Sequence, residues 1–217
     1  MAFCQRHAWL PDAFAVRVER RREPADRTRA VPYAQLLRLW RREDVAVREK
    51  ALWQLLYETA ARASEILSLN IEDIDRDNRR AVVRSKGGNI DLLRFQTGSA
   101  RLIPRLIGER ARGPLFLTDR RPAPGRAQRL STSARSAAAR GCYRRAQEMF
   151  REASGGWTLH QLRHSAITHL AEDYVALPML MAKSRHTSLR SLQKYARPGA
   201  DAVAPLTAAH DPERRRR

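Results

Sequence analysis

Cysteine is nearly missing from this sequence: Cys4 and Cys142 are the two thiols in 217 residues. They are too few and too far apart for a disulfide framework or a four-ligand zinc site, so a reducing, cytoplasmic setting without a bound metal is expected. Long apolar runs are missing as well. The N-terminal stretch MAFCQRHAWLPDAFAV is interrupted by Gln5, Arg6, His7 and Asp12, and nothing downstream has the apolar length of a membrane span. No membrane partner is expected. Negative charge is scarce relative to positive: 23 Asp plus Glu stand against 42 Lys plus Arg, a net charge of +19. Nucleic acid is the leading counterpart for such an excess, because each phosphate neutralised by a cation releases condensed counterions. A merely solvated arginine-rich surface would give the same count, so the motifs have to decide.

What is present is enough apolar material for a fold. A hydrophobic fraction of 43% over this length supports one sizeable core with short appendages. Residues 1–30 are basic and end in the polar run ERRREPADRTRA, which reads as an arm or linker, and the domain boundary falls near Val31. From Pro32 onward Leu36, Leu37, Leu39 and Trp40 form one helical stripe. Leu52, Leu55, Leu56 and Thr59 form a second, and the two helices are expected to pack together. RRAVVRS and IDLLRFQ flank Gly87, Gly88 and Asn89 and predict a hairpin with Lys86 at its tip.

Further along, Pro104 is expected to kink or end any helix between Ser99 and Glu109, and GPLFLT reads as a short buried extended stretch before the loop RRPAPGRAQ. Ser131 or Ser133 can cap a helix through Glu152 that Ser154, Gly155 and Gly156 end. Thr158 with Gln161 is a capping box for a helix from Leu159 through ITHLAED. Pro178 suits the first turn of a short helix, and Thr187 or Ser188 can cap a last one containing Tyr195. The expected fold class is mainly α with a small antiparallel β-sheet (α+β).

Four local patterns carry chemistry: TAARASEIL, RSKGGN, TLHQLRHS and SRHTSLRSLQKYARP. Transfer of a DNA phosphodiester needs a nucleophile, cationic donors around the non-bridging oxygens and an acid for the departing sugar oxygen, and these segments contain a candidate for each. Singly, each residue has a plainer reading. Arg62 is a surface arginine paired with Glu65, Lys86 a solvated hairpin lysine, and Tyr195 a core residue in a stripe with Leu189 and Leu192. Ser64 is expected to cap the turn beyond Arg62 and aim its guanidinium into a cleft. His160 and Arg163 sit three apart at the start of a helix, on one face beside its positive end. His160 and His164 have half the spacing of a metal site, but the third ligand and the glutamate of such a motif are absent.

In order and separation these residues resemble the catalytic domain of the tyrosine recombinases, the phage integrase type, from about Val31 to Pro198. The resemblance implies the DNA breaking-rejoining fold and a catalytic set of Arg62, Lys86, His160, Arg163, His186 and Tyr195, with Glu65 orienting them. It implies site-specific recombination of double-stranded DNA through a 3′-phosphotyrosine. It further implies a homo-tetramer on DNA, with no cofactor, metal or small-molecule substrate. Residues 31–198 would be the catalytic domain, and 199–217 a basic tail in which Val203 and Leu206 could anchor subunit exchange. The alternative is a catalytically incompetent DNA-binding remnant, and a topoisomerase-like nicking and closing enzyme would share the chemistry.

Three departures stand out. Thirty residues precede the domain where the family normally has a helical core-binding domain, which implies weak, salt-sensitive DNA binding and no strand exchange by this chain alone. Ala60 replaces the glycine usual two residues before the first arginine. Arg185 replaces the glycine that commonly precedes the later histidine, adding a charge that could contact DNA or oppose protonation of His186.

Overall fold

The computed structural model describes residues 30–84, 90–117, 132–193 and 207–208, with the backbone alone for 132–142 and 193. The expected arm, the tip of the hairpin with Lys86, the loop RRPAPGRAQ, Tyr195, and Val203 and Leu206 of the tail all lie outside these residues.

The fold is built around one helix. α1 (Tyr33–Arg41) buries Leu36 and Leu39 and exposes most of its other residues, whereas α2 (Val47–Thr59) buries Ala51, Leu52, Trp53, Leu55 and Leu56. A helix that is apolar around most of its circumference has to be covered on several sides. α2 is covered by α3 (Ala63–Leu67), α4 (Thr97–Ile107), α5 (Thr132–Ser154) and α6 (Leu159–Glu172). Trp53 meets Phe150 of α5 edge to face with ring centroids 5.1 Å apart, and Trp40 of α1 meets Tyr57 of α2 at 5.2 Å. The expected packing of the first two helices is thus observed.

The expected hairpin forms from β2 (Arg80–Arg84) and β3 (Ile90–Arg94), paired antiparallel with Val82 opposite Leu92 and Val83 opposite Asp91. A short strand, β1 (Ile74–Asp75), which the sequence did not signal, extends the sheet to three in the order β1-β2-β3. Because side chains alternate across a strand, Ala81, Val83 and Leu93 face the core while Leu92 faces out. Leu115 and Phe116 are buried beside a bridge between Asn70 and Pro114, in keeping with a short extended stretch there.

One helix overrides its local signal. α4 runs through Pro104 to Ile107 instead of stopping or breaking at the proline. Its start is capped from a distance: the carboxylate of Glu58 accepts from the backbone N–H of Gln96 at 2.7 Å and of Ser99 at 3.2 Å. Ile103 and Ile107 bury its inner face, and Pro104 lies on the exposed one, where water can serve the carbonyl that the missing N–H leaves. Gly98 permits the close approach, since a Cβ there would overlap the side-chain amide of Gln54 on α2.

In the C-terminal third several helix ends follow their local signals, although Ser133 lies inside α5 (Thr132–Ser154) instead of capping it and Ser131 lies outside the described residues. α5 ends at Gly155 and Gly156, both at positive φ, and the Thr158 and Gln161 capping box opens α6, with the Thr158 N–H donating to Oε1 of Gln161 at 2.7 Å. α7 (Leu177–Ser184) carries Pro178 in its first turn, and α8 (Leu189–Gln193) begins after Ser188. A second, smaller apolar cluster of Ala60, Ala166, Ile167, Leu180 and Leu192 holds α6, α7 and α8 against the end of α2. No helix among the described residues is long and apolar enough to cross a membrane.

Candidate active site

The junction of α2, α3, α6 and α7 collects the charged groups that the sequence singled out. α2 ends at Ala60, whose φ of 50° and ψ of 29° lie in the left-handed region. The chain reverses through Ala61 and enters α3 at Arg62. The backbone N–H of Arg62 donates to Oε2 of Glu65 at 2.8 Å, and its Nη1 donates to Oε1 at 3.0 Å. Glu65, rather than Ser64 as expected, therefore caps this helix, and the same carboxylate fixes the arginine. Three residues suffice because a glutamate at the third helical position reaches back to the residue before the first turn. Glu65 is buried, whereas the Arg62 side chain is 54% exposed.

Arg163 is the opposite case. It projects from α6 into the interior and is 4% exposed. Nη1 donates to the carbonyl of Ala60, and Nη2 donates to the carbonyl of Ser184 at 2.6 Å and lies 3.5 Å from Nε2 of His186. Both carbonyls belong to helix C-termini, whose negative ends favour a cation and whose oxygens lack partners within the helix. That is how a guanidinium can be buried here.

His186 follows α7. Its Nδ1 lies 2.7 Å from Oγ of Ser184, and that hydroxyl donates to the carbonyl of Leu180 at 2.6 Å. With its hydrogen used there, Ser184 Oγ accepts from Nδ1–H of the imidazole, and Nε2 turns a lone pair toward Arg163. Burial first, and then the charges of Arg163, Arg62 and His160, push the His186 pKa down from 6.5 to about 4. The ring is neutral at pH 7. His160, exposed on the first turn of α6, is thus one of three cationic or titratable groups whose charge acts on this ring.

Arg185 also has left-handed backbone, φ 55° and ψ 40°, so both positions where this chain departs from glycine hold that conformation. Its guanidinium is turned inward. Nη2 donates to Oε2 of Glu65, and Nε lies 3.9 Å from Oδ2 of Asp91 on β3. The Arg185 guanidinium is committed to carboxylates, and the charges that depress His186 are others. Sequence reasoning missed the partnership of Arg185 with Glu65 and Asp91. The available signal was Asp91 itself, a carboxylate on the same strand face as Leu93 in IDLLRFQ, for which a cationic neighbour is a natural partner.

The site therefore brings together Arg62, Glu65, His160, Arg163 and His186, while Lys86 and Tyr195 lie outside the described residues. Among the described residues no group of three His, Cys, Asp or Glu is arranged to hold a metal ion, and His164 is buried in α6. What the cluster offers is a concentration of cationic donors around one small region, and its chemistry suits an anion with several oxygens.

Comparison with known proteins agrees in kind. The phage integrase family model matches residues 27–201. The tyrosine recombinase XerC of Mycobacterium sp. (strain KMS) is 32% identical over 180 residues, covering 78% of this chain and 54% of that protein. The chain thus spans about half the length of the curated relatives it matches. Among solved structures, XerA recombinase superposes with a TM-score of 0.66 at 18% identity, covering 95% of this chain and 71% of the other. The Tn1549 transposon integrase, solved in complex with transposon right end DNA, gives 0.59 at 17% identity, covering 90% and 69%. At these identities the structural likeness concerns the fold.

Proposed function

Because this chain belongs to the phage integrase family, we propose that it cleaves and rejoins double-stranded DNA in site-specific recombination, with Tyr195 as the nucleophile. The observation that carries the reading is the junction where Arg163 ties the ends of α2 and α7 beside His186, with Arg62 held by Glu65 on the turn that follows Ala60. A lone tyrosine is a poor nucleophile, since roughly one molecule in a thousand is phenolate at neutral pH. Cations that grip the scissile phosphate lower that barrier by accepting the charge that builds on the non-bridging oxygens.

In the proposed step the Tyr195 oxygen attacks phosphorus and the bond from phosphorus to the 5′ sugar oxygen breaks. Lys86 gives that oxygen its proton, leaving a 3′-phosphotyrosine and a free 5′-hydroxyl. Arg62 and Arg163 hold the two non-bridging oxygens, and Glu65 keeps Arg62 in place. Tyr195 loses its phenol proton as the new bond forms, and His160 assists that transfer. His186 is neutral with Nε2 unprotonated; a phosphate between the arginines offsets their charge, favours the protonated ring and turns Nε2 into a donor. The phosphotyrosine conserves the energy of the broken phosphodiester, so rejoining to a second strand needs no nucleotide cofactor.

Family membership further supports a homo-tetramer on DNA and work in the cytoplasm. The test is incubation with nicked suicide duplexes in EDTA, followed by denaturing electrophoresis. A protein–DNA adduct that Tyr195→Phe abolishes is the expected result. DNA retention without any adduct would replace this reading with a binding module.

A further inference from the structure

On the premise of the recombinase reading, Arg185 calls for a role although it stands outside the catalytic set. It occupies left-handed backbone at the end of α7, where glycine would meet the conformation at no steric cost. An arginine there is explained by its side chain. One guanidinium reaches Oε2 of Glu65 on α3 and lies within 3.9 Å of Asp91 on β3, while its Nε and Nη1 are buried without a hydrogen-bond partner among the described residues. Asp91 stands opposite Val83 on the inner face of the sheet, and its carboxylate, 33% exposed, meets Arg185 at the edge of that face. Three segments are joined at one cation: the turn into His186, the helix start that presents Arg62, and β3.

Charge gives the junction its consequence. Glu65 paired with Arg62 alone would cancel the charge that a phosphate is to meet. Shared between two guanidiniums, the carboxylate is not spent on Arg62 alone: Oε1 receives Arg62 while Oε2 is held from the other side by Arg185, which Asp91 also faces.

We propose that Arg185 is a positioning residue of the cleavage site, which acts through Glu65 to hold the Arg62 guanidinium and through Asp91 to fix β3 against the turn that leads to His186. It touches no substrate.

The test uses the full chain and a pool of nicked duplexes of randomised sequence. Single-turnover adduct formation at saturating protein is measured separately from DNA affinity. Arg185→Gln is expected to slow cleavage about ten- to hundredfold with affinity within about twofold of wild type, the cost of a misplaced donor. Arg185→Lys recovers part of the rate, because it keeps the charge but not both arms of the fork. Arg185→Gly accepts the left-handed backbone, so it retains cooperative thermal unfolding and cleaves as slowly as Arg185→Gln. Combining Arg185→Gln with Glu65→Gln slows cleavage by less than the product of the two single losses, because the route through Glu65 is already gone and only that through Asp91 remains. Wild-type rates in Arg185→Gln or Arg185→Gly would overturn the inference, as would an affinity loss equal to the rate loss, which would make Arg185 a DNA contact. A wild-type chain that forms no adduct overturns the underlying reading; a wild-type adduct with unaffected variants overturns this inference alone.

Discussion

Around Arg163 three chain segments meet through backbone carbonyls shielded from water, whereas around Arg62 a single carboxylate holds a guanidinium that is half in solvent. The first region is a structural joint: the C-termini of α2 and α7 are tied through one cation on α6. The second is a presentation device, with an arginine at the opening of a five-residue helix and little behind it but Glu65. Two arginines assigned the same partner, a phosphate, are thus expected to differ sharply in what else depends on them. A buried donor is already oriented before substrate arrives, while an exposed one remains adjustable to it.

Removing Arg163 is expected to have the largest effect and to break the comparison from the structural side. Arg163→Ala leaves the carbonyls of Ala60 and Ser184 buried without their donor, costing about 3 kcal/mol in urea unfolding as well as the cleavage activity. Arg62→Ala isolates the other half. Adduct formation should fall about a hundredfold or more, while stability changes by less than about 1 kcal/mol, because an ion pair this exposed contributes little to folding. Equal stability losses in the two variants would erase the distinction.

A smaller effect is expected from pH. The folded-state pKa of His186, about 4, lies below the 6.5 of an ordinary histidine, so between these values the unfolded chain binds a proton that the folded chain does not. Stability from this group is therefore complete above about pH 6.5, declines as pH falls toward 4, and levels off below. Thermal melts at several pH values should show a shallower decline for His186→Asn than for wild type, and identical profiles would contradict the assignment. The smallest effect belongs to Ala60→Gly. Relief of left-handed strain, roughly 1 kcal/mol, is offset by the lost burial of a methyl group, about 0.8 kcal/mol, so the melting temperature should barely move while the carbonyl still receives Arg163.

Much of the scaffold was legible because its signals are local. The Thr158 and Gln161 capping box, the two strand runs of the hairpin and Pro178 in a first turn are each read from a few residues, and the helices start and the strands pair where those residues indicated. Where partners are distant, the sequence misled or was silent. Pro104 argued against a helix that Glu58 caps from 38 residues away. Ser64 had the right side chain for a cap, but Glu65 reaches the backbone of Arg62 and takes the role. At the site, the residue types and their order were readable, and so was the oddity of Ala60 and Arg185 in place of glycine. Their consequences were not, since whether Arg185 faces DNA or Glu65 depends on where α7 ends relative to α3, which no local pattern encodes.

The central claim is a covalent bond between one named oxygen and DNA, and mass spectrometry of the trapped adduct tests it most directly. After nuclease and protease digestion, the account predicts a nucleotide mass on the peptide containing Tyr195, among the five tyrosines of the chain. A nucleotide on Tyr33, Tyr57, Tyr143 or Tyr174, or DNA bound tightly with no modified tyrosine, would contradict it.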